Sequence, residues 1–338
     1  MNKIRISVVV PVYNVAQYVT ECLQSLFDQT YKEFEVVVVD DCGSDNSMDK
    51  VRECIVHNGF NNCGHDNREC YHSPDNDMEV IIVAHTSNQG LSAARNTGIR
   101  NASGDYFFFL DSDDKVMPNC LELLNKQIKI HLGGVDMVQC GMKGEDPVKN
   151  RYFHDFIDYQ HVPLYMEGRR CRSILYGRKL GMMANGRMAS RQFIFDNNLF
   201  FKPGIIHEDD EWTFRTAKYI NSYAYIPEEI FFYRCNYDGI MAHANSKKAY
   251  TSLCGIADEI LDQLPPFHYY FTELLYAIRE MNIAWENAGV NPLDHMKYGK
   301  NVLIRAIYRH WRGGKIMKVA TFFLCGTLFW TNRFFIKR

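Results

Sequence analysis

After Asp294 the chain has no acidic residue. Its last 44 residues carry ten cations: Lys297, Lys300, Arg305, Arg309, Arg312, Lys315, Lys318, Arg333, Lys337 and Arg338. The net charge of the whole chain is −2, so residues 1–294 hold −12. This asymmetry points to an anionic surface met by the C-terminal region, and not to a nucleic-acid partner for the whole chain. Long hydrophobic runs are also lacking. No stretch reaches the ~18–20 uninterrupted apolar residues of a spanning helix. "MNKIRISVVVPVYN" has a short apolar stretch, but Pro11 and Asn14 end it too soon for a secretory h-region. No G-x-G-x-x-G follows a strand, which excludes a dinucleotide fingerprint. The eleven cysteines, with no secretory leader beside them, are expected to be mostly reduced, and the protein cytosolic.

The 338 residues suffice for one large domain or two ordinary ones, and 46% hydrophobic with 23% charged residues is a globular balance. Four apolar runs read as strands: "IRISVVV" (4–10), "FEVVVVD" (34–40), "EVIIVAH" (79–85) and "DYFFFLD" (105–111). Helical spacing recurs in Tyr18, Val19, Cys22, Leu23, Leu26 and Phe27. A second helix is expected from about Ser44, and a third over 90–103 with Gly104 as its stop. Strands buried on both faces and alternating with helices imply a doubly wound α/β fold, its sheet mostly parallel and covered by helices on both faces. Ligands bind such sheets outside the carboxyl ends of the strands. Strand ends at Pro11–Asn14, Asp40–Asp41 and Asp111–Asp114 therefore converge on one crevice. Three carboxylates in "FFFLDSDDK" (107–115) repel one another there and call for a cation, and their hard oxygens suit Mg²⁺ or Mn²⁺. The plainer alternative is a solvated acidic loop with Asp114 as a helix cap.

"VVVPVYN" (8–14), "VVVVDDCGSDNS" (36–47), "NQGLSAARNTGI" (88–99), "GDYFFFLDSDD" (104–114) and "GIIHEDDEW" (204–212) occur in this order. Together they resemble the glycosyltransferase family 2 enzymes of the GT-A fold. The resemblance is strong over 4–120, fair to about 245, and fades beyond. It implies that Pro11 and Tyr13 line the pocket for the donor's base and that Asp41 hydrogen-bonds that base. It places Arg95 and Asn96 near the donor. In the DxD position, Asp111 would contact the donor, and Asp113 and Asp114 would hold the divalent metal (Mn or Mg) against its diphosphate. Asp209 would be the catalytic base of an inverting transfer from a nucleotide-sugar donor, with a lean toward UDP, to a glycan acceptor. One departure is Cys42-Gly43-Ser44, where the family has Gly-Ser-Thr. Asp210 and Glu211 raise the Asp209 pKa by like-charge repulsion, or else are solvated helix-face charges. The rivals are a nucleotidyltransferase and a membrane-bound scaffold without catalysis. "PVYNVAQY" lacks the glycine-rich phosphate loop of the first, and intact "DSDD" and "HEDD" argue against the second.

Three regions carry weaker signals. The insertion 54–78 holds Cys54, His57, Cys63, His65, Cys70 and His72, but its spacing fits no zinc pattern and it reads as a polar surface loop. In 225–245, Arg234 and His243 are candidates for contact with diphosphate. The segment 315–338 is apolar from Val319 to Trp330 between cations, which suits an interfacial helix at an anionic membrane, the plainer alternative being packing onto the catalytic domain. The expected organisation is a nucleotide-sugar half (1–115), an acceptor half with the base (116–245), and a helical, basic C-terminal extension (246–338). By family analogy the acceptor is lipid-linked, the setting is surface polysaccharide synthesis, and the protein is peripheral at the inner face of the plasma membrane.

Overall fold

The computed structural model describes residues 3–64, 69–131, 134–146, 148–154, 162–176, 181–239, 247–263, 281, 284–285 and 288–311. The chain opens with β1 (Ile6–Val12), α1 (Val19–Phe27), β2 (Phe34–Asp40), α2 (Ser47–His57), β3 (Asn61–Asn62), β4 (Glu69–His72), β5 (Glu79–Ala84), α3 (Leu91–Asn101) and β6 (Tyr106–Phe109). It continues with β7 (Lys115–Val116), α4 (Cys120–Ile130), β8 (Met137–Asp146), β9 (Arg151–His154), β10 (Tyr165–Glu167), α5 (Arg169–Tyr176) and β11 (Arg187–Ser190). Then come α6 (Arg191–Asp196), α7 (Glu208–Tyr219), β12 (Ser222–Arg234), α8 (Lys247–Gln263) and a helix at Pro292–Trp311.

Among the described residues the strands form one mixed sheet ordered β10-β12-β8-β11-β6-β1-β2-β5-β4-β3, with β7 on β12 and β9 on β8. The stretch β6-β1-β2-β5 is parallel. All seven residues of β1 are buried, as an apolar run covered on both faces must be. Beyond β6 the sheet reverses: the short β11 lies antiparallel to both β6 and β8, while β8 and β12 run parallel. The sheet thus continues through the expected division at residue 115. Helix α3 packs very closely on β1, because a Cβ on Gly98 would stand 2.3 Å from Val9 Cγ1. At the opposite end of the strands the buried Glu35 accepts from Ser7 Oγ (2.6 Å), Ser103 Oγ (2.7 Å) and the Gly104 amide (3.2 Å). It thereby ties β1 and β2 to the turn before β6.

The insertion is not simply a surface loop. Its strand β4 pairs antiparallel with β5 and with β3, so it extends the sheet edge. Glu69 accepts from Arg52 Nε at 2.8 Å and Nη2 at 3.0 Å, fixing the hairpin to α2. Cys54 is buried, and His65 lies outside the described residues.

The sheet and its helices make one compact unit running to Asn236. A second unit takes in Ile205–His207 and the chain from Tyr237. Its core joins Ile206, Tyr250, Leu253, Met281 and Ala284. The helix Pro292–Trp311 belongs to this unit, with Tyr298 Oη donating to the Cys254 carbonyl at 2.6 Å and Trp285 stacked on His295. Arg305 pairs with Asp258 and Asp262 on α8. One of the ten C-terminal cations is therefore already neutralised. Residues 312–338 lie outside the described residues, and among those described no helix is long and apolar enough to cross a membrane.

Candidate active site

Arg95 is the hub of the site. It projects from the middle of α3 and its side chain is 1% exposed. Nη1 donates to Glu208 Oε1 and to Asp209 Oδ1, each at 2.9 Å. Nη2 donates to Asp111 Oδ1 at 2.9 Å and to Asn185 Oδ1 at 3.0 Å. One guanidinium thus joins Asp111 at the acidic end of β6 to Glu208 at the start of α7, 97 residues further along the sequence. The planar fork of arginine suits this divided task, and lysine has no equivalent of it.

Aromatic packing sets the geometry. The Trp212 ring on α7 stacks on Phe201 at 4.8 Å and meets Phe109, the last residue of β6, edge-on at 5.8 Å. Trp212 Nε1 donates to the Leu199 carbonyl at 2.8 Å. Asn96 spends both ends of its amide on Phe201, donating to the carbonyl at 2.7 Å and accepting from the amide at 2.8 Å. Asn96, expected near the donor, thus braces Phe201. The four acids Glu208–Glu211 open α7, where the helix dipole favours negative charge. His207 before them holds φ at 65°, in the left-handed region.

Burial pushes the Asp209 carboxyl up to about 7. Arg95 opposes that rise, and Glu208 and Asp111 add to it. Asp210 and Glu211 are both buried, so they are not solvated helix-face charges. Glu211 instead pairs with Arg215 one turn on.

The three aspartates of the strand end differ in what holds them. Asp111 faces Arg95. Asp113 accepts from Asn236 Nδ2 at 2.9 Å. Asp114 is buried and accepts from the Arg234 amide at 2.8 Å and from Asn185 Nδ2 at 3.1 Å. Burial, then the Asp111 charge, lifts Asp113 above the usual carboxylate range. Burial and both neighbouring aspartates lift Asp114 well above it. Such a group takes up either a proton or a cation, so its hard oxygens fit a divalent metal. Among the described residues no three or more His, Cys, Asp or Glu side chains form a ligand set. A cation here would draw its remaining oxygens from substrate phosphates and water. Arg234 points its guanidinium at Glu21 and over the Tyr18 ring. Lys115 also reaches Glu21. His243 lies outside the described residues.

On the side of β1 and β2, Pro11 is buried and Tyr13 is 47% exposed. Asn14 Oδ1 accepts from the Ser44 amide at 2.8 Å, holding the loop after β2 against the loop after β1. Gly43 sits close to Asn14 there, since a Cβ would lie 3.0 Å from its backbone nitrogen. Asp41 is buried. It accepts from the Gln89 and Gly90 amides, each at 2.8 Å, and His85 Nδ1 lies 2.7 Å from it. Gly90 holds φ at +87°, which aims its N–H at Asp41 at the start of α3.

Sequence reasoning missed Asn185, Asn236 and His85. The two asparagines lie in loops without pattern. His85 stood in view as the end of the third expected strand, but its partners are 44 and 12 residues away.

The family profile described as "Glycosyl transferase family 2" matches residues 7–195. The putative glycosyltransferase EpsH of Bacillus subtilis is 28% identical over 247 residues, which is 72% of this chain and 64% of that protein. Glycosyltransferase GlyA of Streptococcus pneumoniae is 40% identical over 124 residues, 37% of this chain and 15% of that protein. The chain thus spans less than two thirds of the length of these relatives. Among solved structures, S. aureus TarS 1–349 in complex with UDP-GlcNAc superposes with a TM-score of 0.59 at 20% identity, covering 89% of this chain and 81% of that one. The mannosyltransferase PcManGT from Pyrobaculum calidifontis, in complex with GDP-Man and Mn²⁺, gives 0.54 at 17% identity, covering 100% and 89%. These likenesses show the fold, GT-A.

Proposed function

Because this chain belongs to glycosyl transferase family 2, we propose that it transfers a sugar from a nucleotide-diphosphate donor to a glycan acceptor with inversion at the anomeric carbon. The observation that carries this reading is the Arg95 hub, which sets a carboxylate with a pKa near 7 beside the acidic strand end. A base must match the working pH to take a proton efficiently, and Asp209 does so. In this reading Asp209 accepts the proton of the acceptor hydroxyl as it attacks the sugar. Arg95 holds Asp209 and Asp111 in register, and inversion asks that the base attack from the side opposite the leaving group. Tyr13 covers the base of the donor, and Asp41 accepts from it. UDP is the favoured donor nucleotide, by resemblance and by the UDP-GlcNAc and UDP complexes of the TarS neighbour.

Mn²⁺ or Mg²⁺ would be held by Asp113 and Asp114, with Asp111 beside them and Asp114 fixed by Asn185 and the Arg234 amide. When bound, the cation neutralises charge developing on the departing diphosphate. Asp113→Ala is expected to abolish turnover and to remove the metal dependence of UDP binding. Titration calorimetry with UDP, with and without MnCl₂, tests this. Full activity of the variant, or of the wild type in excess EDTA, would refute it.

The acceptor is proposed to be lipid-linked and presented at the inner face of the plasma membrane, in surface polysaccharide synthesis. Residues 312–338 support this with six cations, no acid and the apolar run around Phe322 to Trp330. Each basic residue near an anionic leaflet contributes about 1 kcal/mol. A cut near residue 294 would break the helix Pro292–Trp311, so the informative truncation ends at Trp311. That chain should stay in the supernatant with anionic vesicles while still binding UDP. Full-length protein should pellet, and high salt should release part of it. Equal pelleting of the two would remove the membrane role.

A further inference from the structure

We infer that His85 is a positioning residue that locks Asp41 as a reader of the donor's base, a reading that rests on the nucleotide pocket proposed above. His85 and Asp41 have side chains only 6% and 4% exposed. Both ring nitrogens of His85 are used: Nδ1 lies 2.7 Å from Asp41 Oδ1, and Nε2 lies 2.8 Å from Thr97 Oγ1 on α3. Asp41 also accepts two backbone amides, so it acts only as an acceptor. In the neutral ring this puts the hydrogen on Nδ1 and leaves Nε2 to accept from the Thr97 hydroxyl. The His85 amide in turn donates to the Asp40 carbonyl at 2.8 Å, pinning the ring's own backbone to β2.

The acceptor count gives this arrangement chemical meaning. A carboxylate oxygen accepts about two hydrogen bonds. Oδ1 is filled by His85 and the Gln89 amide, while Oδ2 holds only the Gly90 amide. One acceptor position on Oδ2 is left, and the carboxylate cannot rotate to offer another without breaking three bonds. A fixed acceptor with no donor selects a base that presents a ring N–H. The imide N3–H of uracil satisfies it. Cytosine, whose N3 is itself an acceptor, does not. On this account His85 sets how firmly the pocket prefers an imide base, and Thr97 sets the orientation of His85.

The test measures Kd for UDP and for CDP by calorimetry, on the full chain with MnCl₂. Asp41→Asn should lose the preference for UDP. His85→Ala removes one of the three bonds that hold the carboxylate and leaves Oδ1 short of a donor, so its orientation is less firmly set. UDP should then bind about tenfold more weakly, the scale of a hydrogen bond to a charged group, while CDP changes little. In turnover the loss should fall on the donor KM more than on kcat. His85→Asn, whose amide N–H can take the place of Nδ1–H, should recover most of the UDP preference. If His85→Ala keeps the wild-type UDP-to-CDP ratio while Asp41→Asn loses it, the role of His85 is overturned. If Asp41→Asn also keeps it, the pocket reading fails, and this inference with it. Should His85→Ala not fold, Thr97→Val decides: a two- to threefold fall in the ratio is expected, the scale of a neutral hydrogen bond, and no change overturns the proposal.

Discussion

Replacing Arg95 with alanine is expected to abolish transfer and to lower stability sharply. The variant leaves Asp111, Glu208 and Asp209 around a space that no longer holds a cation. Removing one partner of a buried ion pair costs about 3–5 kcal/mol, because the remaining charge is stranded. Here three carboxylates lose one shared cation, and the Asp209 carboxyl, already raised by burial and held down in part by Arg95, rises further, so the native state binds more protons there than the unfolded chain. A group whose pKa is raised by folding favours the folded state at low pH and loses that advantage as pH climbs. The deficit of Arg95→Ala should therefore be largest at pH 8 and shrink toward pH 5. Arg95→Lys, which keeps the charge without the fork, should regain part of the stability and little of the activity. Thermal melts of the three proteins at pH 5 and pH 8 check this. An alanine variant as stable as the wild type at pH 8 would mean that the hub does not hold the site together.

For Asp209→Asn the loss lies in chemistry rather than in folding. The amide keeps the shape and cannot take a proton, so kcat should fall by roughly 10²–10⁴. UDP binding should change little, since the base faces the acceptor. The wild-type kcat/KM should rise with pH through about 7, where Asp209 loses its proton, and level off above. Residual activity of the variant should lack that limb. Asp209 with its raised pKa costs the fold stability once it is charged, so the variant should melt within a few degrees of the wild type at pH 8. A surviving limb would assign the ionisation to another group. An active Asp209→Asn beside an inactive Asp210→Asn would move the base by one residue.

Much of the fold could be read because its parallel core is written in uninterrupted Val and Phe runs. β1, β2, β5 and β6 fall within a residue or two of the expected strands. The ends of β2 and β6 gave Asp41 and Asp111 for the same reason. What stayed hidden depends on distant partners. Nothing local marks Arg187–Ser190 as the strand that reverses the sheet, because its four residues owe their conformation to β6 and β8. "EDDE" looks like a solvated helix start, and the burial of Asp210 and Glu211 comes from packing the sequence does not display. Asn185 serves both Arg95 and Asp114, and a lone loop asparagine announces neither bond. The charge of the basic C-terminal region does not tell which of its residues pack, yet Tyr298 and Arg305 engage α8.

Strand β1 pairs with β2 on one edge and β6 on the other, with Ile6 opposite both Phe34 and Tyr106. A ribosome adds roughly 5–20 residues per second. The first strand therefore waits about 5–20 s after it emerges before the segment that completes its second edge is synthesised. Through that interval Val8, Val9 and Val10 present an unpaired apolar edge, the kind of surface on which nascent chains misassemble. The other flank of the growing sheet is better protected. Hairpin β3–β4 is made before β5 and can cover its free edge as soon as β5 emerges, with the charged Arg52–Glu69 pair beside it. The half-made protein thus has one exposed side rather than two, and a chaperone that holds it should bind near residues 6–12.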